Sequence, residues 1–260
     1  MDSPLVITER RDSLEIIRLN RPEKFNALSR QMIVALSDIF TNLASQPDLR
    51  AIILTGAGDQ AFCAGTDITE LSQLTAKEAR EVSELGQALC NQIENCTVPV
   101  IAAVNGVAAG GGCELVLACH IRITSPNGSF SLPEPKLALI PGYGGTQRLA
   151  REIGRGRALE IILTGRTVRA EEALRSGLTN RVAAAGHLLP EAESLAKEIS
   201  SLAPLAIRAC LEAVTRGTEL SLAEGLALEA QLFSSLFATN DTREGTRAFL
   251  EKRPPVFKGS

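Results

Sequence analysis

The chain has 260 residues, 45% of them apolar, and its 27 basic and 30 acidic side chains leave a net charge of −3. A chain this apolar is neither disordered nor collagen-like, and without net positive charge it is poorly suited to neutralising nucleic-acid phosphates. No apolar run approaches the roughly 20 residues that span a bilayer. Met1, Asp2, Ser3 and Pro4 lack the basic start and apolar stretch of a secretory signal.

The first third alternates strand and helix signals. Leu14 to Leu19 reads as a strand paired with Leu5 to Thr8 across a polar turn. Ser29 reads as the N-cap of an amphipathic helix with Met32, Ile33, Leu36, Ile39 and Phe40 on one face. Residues 50–55, 100–104 and 121–124 read as short buried strands, and the spacing of Ala79, Val82, Leu85, Leu89 and Ile93 predicts a helix over 76–96. From about Gly144 strands become scarce, and helical windows fall at 144–152, 156–163, 170–175, 188–202, 204–215 and 219–238. Strand–strand–helix units followed by a helical tail predict an α/β core with a C-terminal helical region. The last window places Leu220, Leu222, Leu226, Leu228, Leu232, Phe233, Leu236 and Phe237 around more than one face, as in a helix buried on both sides.

Cys63, Cys90, Cys96, Cys113, Cys119 and Cys210 form no C-x-x-C pair. They read as free thiols, mostly buried, in a reducing and therefore cytoplasmic compartment. No cluster of metal ligands is visible, and His120, among strand residues, reads as structural.

Three glycine-rich segments, at 61–67, 105–114 and 141–147, could carry chemistry. None has the lysine of a phosphate-binding loop, and Gly142 and Gly144 are followed by Gln147 where a dinucleotide fingerprint needs glycine. The run Gly110, Gly111, Gly112 opens an apolar helix, so it allows close backbone approach and leaves N–H groups free at a helix N-terminus. Such a place suits a developing oxyanion. Glu114, among apolar neighbours, and Glu134, between Pro133 and Pro135, are carboxylates in settings that call for a partner or a task. They are candidates for a general acid/base pair if the chain folds back to bring them together.

Taken together, these segments resemble the enoyl-CoA hydratase/isomerase (crotonase) superfamily, most closely its bacterial enoyl-CoA hydratases. The resemblance rests on Asn20, Arg21 and Pro22 with Asn26, Ala27 and Leu28; on 61–67; on Gly110 to Glu114; on Pro133 and Glu134; on 140–149; and on tail stretches from Leu163 to Arg253. It implies a spiral of repeated ββα units over 1–195 carrying a CoA-thioester site, and a helical trimerisation region over 196–260. The assembly would be a homotrimer or homohexamer. The implied substrate is a 2-enoyl-CoA thioester, with coenzyme A part of the substrate and no cofactor or metal. The implied reaction adds water across the C2=C3 double bond to give a 3-hydroxyacyl-CoA.

By the same resemblance, the backbone N–H groups of Thr66 and Gly111 form an oxyanion hole. Glu114 activates water for C3 and Glu134 delivers a proton to C2. Ala64, Thr66, Asp67, Ile68, Thr69, Gly111 and Tyr143 line the substrate, with Tyr143, the single tyrosine of a chain without tryptophan, on the acyl side. Lys24, Ala27 and Leu28 correspond to the CoA-binding segment. The chain departs from the family where it has Thr66 for the common alanine, Thr69 for a frequent lysine, His120 for aspartate and Tyr143 for a small residue.

Two alternatives remain open: a Δ3-Δ2 enoyl-CoA isomerase of the same fold, which manages with one glutamate, and a hydratase-like RNA-binding relative. Glu78, Glu81, Glu84 and Glu94 on the helix that would meet RNA disfavour the second. Neither nucleic acid nor membrane is expected as a partner.

Overall fold

The computed structural model describes residues 3–260; Met1 and Asp2, part of the N-terminal stretch read above, lie outside it. Strands β1 (Val6–Arg11) and β2 (Leu14–Leu19) form the expected antiparallel hairpin, with Val6 opposite Leu19. A 3₁₀ turn (Pro22–Lys24) leads to α1 (Arg30–Leu43), whose N-cap Ser29 side chain accepts from the Met32 N–H. Then come β3 (Ala51–Gly56), β4 (Ala61–Cys63), α2 (Ile68–Leu71) and α3 (Ala76–Glu94). A second unit follows as β5 (Val100–Val104), β6 (Val107–Ala109) and α4 (Gly111–Ala118). The third is β7 (Ile121–Thr124), β8 (Ser129–Ser131), a 3₁₀ turn (Glu134–Leu137) and α5 (Gly145–Ile153). The remainder is α6 (Arg155–Thr164), β9 (Val168–Arg169), α7 (Ala170–Ser176), β10 (Arg181–Val182), α8 (Leu188–Ser200), α9 (Pro204–Gly217), α10 (Leu222–Leu236) and α11 (Asn240–Glu251).

Each ββα unit gives its first strand to one sheet and its second to another. The six-stranded sheet runs β1-β2-β3-β5-β7-β10 and the four-stranded sheet runs β4-β6-β8-β9. The central pairs β3/β5, β5/β7, β4/β6 and β6/β8 are all parallel, so the chain climbs as a spiral. Strands buried on both faces divide their side chains by the two-residue period. Ile52, Leu54, Val100, Ala102 and Val104 face the main core with α1, α3 and α4. Ile53, Ile101, Ala103 and Ile123 face a second core closed by Ala192, Leu195 and Ala196 of α8.

The expected division at 195/196 falls inside α8, which is tied to the large sheet; the chain leaves the core only after Ser200. Beyond it, α9 and α10 pack on each other and bury no residue of their own against the core. Leu222, Phe233 and Phe237 are 80%, 63% and 59% exposed. A groove of about 1060 Å³ separates α9 from the far end of α4, between residues such as Leu117, Cys119, Ile207 and Leu211. Among the described residues no helix is long and apolar enough to cross a membrane.

The small sheet sits close under α4. A Cβ on Gly112 would stand 2.2 Å from the Cys63 carbonyl oxygen, at the end of β4. Gly112→Ala must therefore push α4 off β4, and it is expected to lower unfolding free energy by about 1–3 kcal/mol, as overpacking of a dense core does. Urea denaturation measures this, and a wild-type midpoint would show that the contact can relax.

Candidate active site

The three short strands of the small sheet run parallel, so their carboxyl ends lie side by side. Thr66 follows β4, Gly110 to Glu114 follow β6, and Glu134 follows β8. Ligands of parallel sheets bind at this end of the strands. The turns touch: a Cβ on Gly65 would be 3.1 Å from the Ala109 oxygen, and one on Gly110 would be 2.9 Å from Glu134 Oε1. Gly110 also has φ 50° and ψ −127°, a conformation closed to L side chains.

Two backbone donors are left over at this junction. Thr66 forms a parallel bridge with Leu28, in which the Leu28 N–H donates to the Gly65 oxygen and the Asp67 N–H donates to the Leu28 oxygen, at 2.8 Å each. That pattern turns the N–H of Thr66 itself to the other side. Gly111 is the first residue of α4, where a helix has no internal acceptor for its N–H. Among the described residues neither N–H has a hydrogen-bond partner. The two sit together, since a Cβ on Gly111 would be 3.2 Å from Thr66 Oγ1.

Glu114 lies in the first turn of α4 and is 1% exposed. Its Oε1 accepts from the N–H groups of Tyr143 and Gly145, both at 2.7 Å, and Oε2 has no protein partner among the described residues. Burial pushes its carboxyl up to about 7, the Gly145 N–H pulls against that, and the nearby Glu134 raises it further. Glu134 is also raised, by burial, and its buried Oε2 has no hydrogen-bond partner among the described residues. The chain thus brings the two carboxylates together, each with an oxygen left for something that is not protein.

The loop 141–145 that holds Glu114 is itself pinned. Ser83 Oγ and Gln87 Nε2, from α3, donate to the Gly142 oxygen at 2.6 and 3.0 Å. Arg148 donates to the Tyr143 oxygen at 3.1 Å while its guanidinium pairs with Glu94 at 2.7 Å. Ser83 and Gln87 look in the sequence like ordinary polar helix residues, and Arg148 appears there only within the motif 140–149. Asn26 was read only as part of a motif; it is buried and donates to the Ala57 and Ala61 oxygens at 2.9 and 2.8 Å, shaping the loop before α1.

The remaining expected residues fall at different depths. Asp67 caps α2 and pairs with Arg21 at 3.1 Å, while Ala64, Ile68 and Thr69 are exposed along the same turn. Lys24 is exposed and Ala27 half-buried, whereas Leu28 is fully buried, its backbone paired with Gly65 and Asp67, so only its neighbours reach the surface. Tyr143 is buried, its hydroxyl accepting from Thr66 Oγ1 at 2.9 Å. His120 is structural, as expected: Nδ1 accepts from the Val100 N–H at 2.9 Å, so Nε2 donates to the Glu94 oxygen at 3.0 Å. No three His, Cys, Asp or Glu side chains converge as a metal-binding group among the described residues.

The Glu114 geometry has a cost that depends on pH. An ordinary glutamate titrates near 4.5, whereas folded Glu114 titrates near 7. The folded protein therefore holds this proton more tightly than the unfolded chain does. Stability is fully present below the unfolded value and is lost as pH rises toward 7, by on the order of 3 kcal/mol in all. Glu114→Gln keeps the acceptor oxygen for both N–H groups but never ionises. In urea denaturation its stability relative to wild type is expected to increase between about pH 5 and pH 8. A difference that stays flat over that range would mean that Glu114 ionises without penalty.

The sequence profile of the enoyl-CoA hydratase/isomerase family matches residues 9–260. The chain is 42% identical over 252 residues to a crotonyl-CoA hydratase of Syntrophomonas wolfei subsp. wolfei, covering 97% of each. It is 39% identical over 248 residues to a short-chain-enoyl-CoA hydratase of Clostridium acetobutylicum, covering 95% of each. The crystal structure of an enoyl-CoA hydratase from Bacillus anthracis superimposes with a TM-score of 0.96 at 40% identity, over 99% of this chain and 100% of that one.

Proposed function

The chain belongs to the enoyl-CoA hydratase/isomerase family, and from that premise we propose that it adds water across the C2=C3 bond of a 2-enoyl-CoA thioester to give a 3-hydroxyacyl-CoA. The observation that carries this reading is the pair of carboxylates, buried Glu114 and half-buried Glu134 with its buried Oε2 unpartnered among the described residues, beside two unpaired backbone N–H groups. Shifting a double bond needs one residue to carry a proton between carbons. Adding water needs a held water and a separate proton donor, and Glu114 fixed by two N–H groups is the second group that an isomerase does not require.

On this reading the thioester oxygen lies against the Thr66 and Gly111 N–H groups. As the water oxygen bonds to C3, Glu114 takes the water proton and the C2=C3 electron pair moves onto the thioester oxygen. The enolate so formed is stabilised by the two N–H groups, with the positive end of the α4 dipole behind Gly111. Glu134 then gives its proton to C2. Glu114, raised to about 7, and Glu134, raised by burial, suit a pair in which one carboxyl accepts a proton and the other donates one. Nothing in these steps calls on a group beyond the CoA thioester itself. Ala64, Asp67, Ile68 and Thr69 would border the substrate, and Lys24, Ala27 and Leu28 the CoA moiety.

With crotonyl-CoA as substrate, Glu114→Gln and Glu134→Gln are each expected to lower kcat by at least about 100-fold, with much smaller changes in KM. The loss of thioester-conjugated enoyl absorbance measures it. Near-wild-type turnover by either variant would remove that residue from the chemistry.

The proposal extends to assembly and compartment. The exposed leucines and phenylalanines of α10, and the groove beneath α9, suit burial against further copies of the chain, as a homotrimer or homohexamer. All six cysteines are free and four are buried, which supports a reducing, cytoplasmic setting. Light scattering at micromolar concentration is expected to give the mass of three or six chains, and Leu226→Asp with Phe233→Asp to shift it to one. A stable wild-type monomer would contradict the assembly.

A further inference from the structure

Tyr143 occupies a space that the site itself does not require to be filled. Its ring lies flat on α3 at Gly86, where a Cβ would come within 2.2–2.5 Å of Cδ1, Cγ and Cε1. The ring's other edge lies over Gly111, whose Cβ would be 2.9 Å from Cε2. Glycine in the middle of a 19-residue helix is unfavourable by about 1 kcal/mol relative to alanine. Here it makes the room in which the ring sits. The hydroxyl accepts from Thr66 Oγ1 at 2.9 Å, and the backbone on either side of the ring is held by Glu114 and Arg148. The ring is 5% exposed and fastened at every side, so it is a fixed wall between α3 and α4.

On the function proposed above, with the thioester oxygen at the Thr66 and Gly111 N–H groups and C3 at Glu114, the ring that rests on Gly111 and whose own N–H donates to Glu114 borders the acyl chain beyond C3. We propose that Tyr143, seated on Gly86 and tied to Thr66, closes the acyl pocket shortly after C3 and restricts the enzyme to short-chain acyl thioesters. This rests on the function proposed above for the same site. The Thr66 hydroxyl donates to the phenol oxygen and holds that end of the ring at Thr66, so the face of the ring is the surface left to meet the acyl chain.

Two measurements test the stop separately from the reaction. Turnover is measured with 2-enoyl-CoA thioesters of four, six and ten carbons, and binding with butyryl-CoA and decanoyl-CoA by titration calorimetry. Wild-type kcat/KM is expected to fall by about tenfold or more from four to ten carbons, the scale on which a hydrophobic pocket rejects extra methylenes. Decanoyl-CoA should bind no more tightly than butyryl-CoA. Tyr143→Ala should raise the ten-to-four-carbon ratio, in both readouts, by about tenfold or more. Tyr143→Phe keeps the ring and should keep the wild-type ratio. Tyr143→Ala combined with Gly86→Leu refills the space from α3 and should bring the ratio down again. Should Tyr143→Ala fail to fold, Tyr143→Val reads the same ratio with less lost volume. A wild-type ratio near one, or a ratio unmoved when the ring is removed, overturns the proposal. Failure of the wild type to hydrate any of the thioesters would overturn the reaction instead, and the binding ratio would still decide the stop.

Discussion

The seating of one carboxylate governs the site. Glu114 is withdrawn from water into the main core, and the two N–H groups of Tyr143 and Gly145 are what it receives in exchange. An ionised group buried so deeply is tolerated only with fixed hydrogen-bond donors, and donors on a mobile loop would not serve. The loop 141–145 is accordingly fastened to α3 by Ser83, Gln87 and the Arg148–Glu94 pair. The carboxylate's placement thus depends on the packing of α3, α4 and α5, and those helices depend on the sheet beneath them.

The spiral explains why the groups converge from distant parts of the chain. Each ββα unit delivers one turn to the same end of the small sheet: the first brings Thr66, the second Gly111 and Glu114, the third Glu134. Neighbouring strands lie about 4.8 Å apart, so consecutive turns sit one strand spacing from each other. A side chain at Gly65, Gly110 or Gly112 would force the turns apart, which ties the glycine-rich segments to the chemistry through sterics rather than through any ligand of their own.

Much of this was legible from residues alone. The apolar runs of β2, β3, β5 and β7, the amphipathic periods of α1 and α3, and the windows from α5 to α10 appear in the structure within a few residues of their expected bounds. Glu114 and Glu134 stood out because a carboxylate in an apolar stretch has few innocent explanations. What was not legible has local causes. Strands β4, β6 and β8 are three residues each, too short to show a two-residue period, and two of them sit within segments that read as glycine turns. Helix α11 was read only as part of a tail motif; its polar sequence buries just Asp241 and Ala248. The loop clamps carry no sequence signal, since Ser83, Gln87 and Arg148 acquire their partners only through tertiary contact.

The departures at Thr66 and Tyr143 make physical sense as one unit with Gly86. A lone tyrosine hydroxyl between two helices would be a buried polar group without a partner, at a cost of about 1–3 kcal/mol. The half-buried Thr66 hydroxyl donates to it. The ring in turn fits only because position 86 has no side chain, and the void left by glycine on a buried helix face is filled only because position 143 is large. Thr66 and Tyr143 also act through different atoms in their two capacities. The Thr66 N–H has no partner among the described residues and the Tyr143 N–H donates to Glu114, whereas the two side chains face each other. Side-chain identity at these positions can therefore set the shape of the pocket, while the donors that the chemistry would use stay fixed in the main chain.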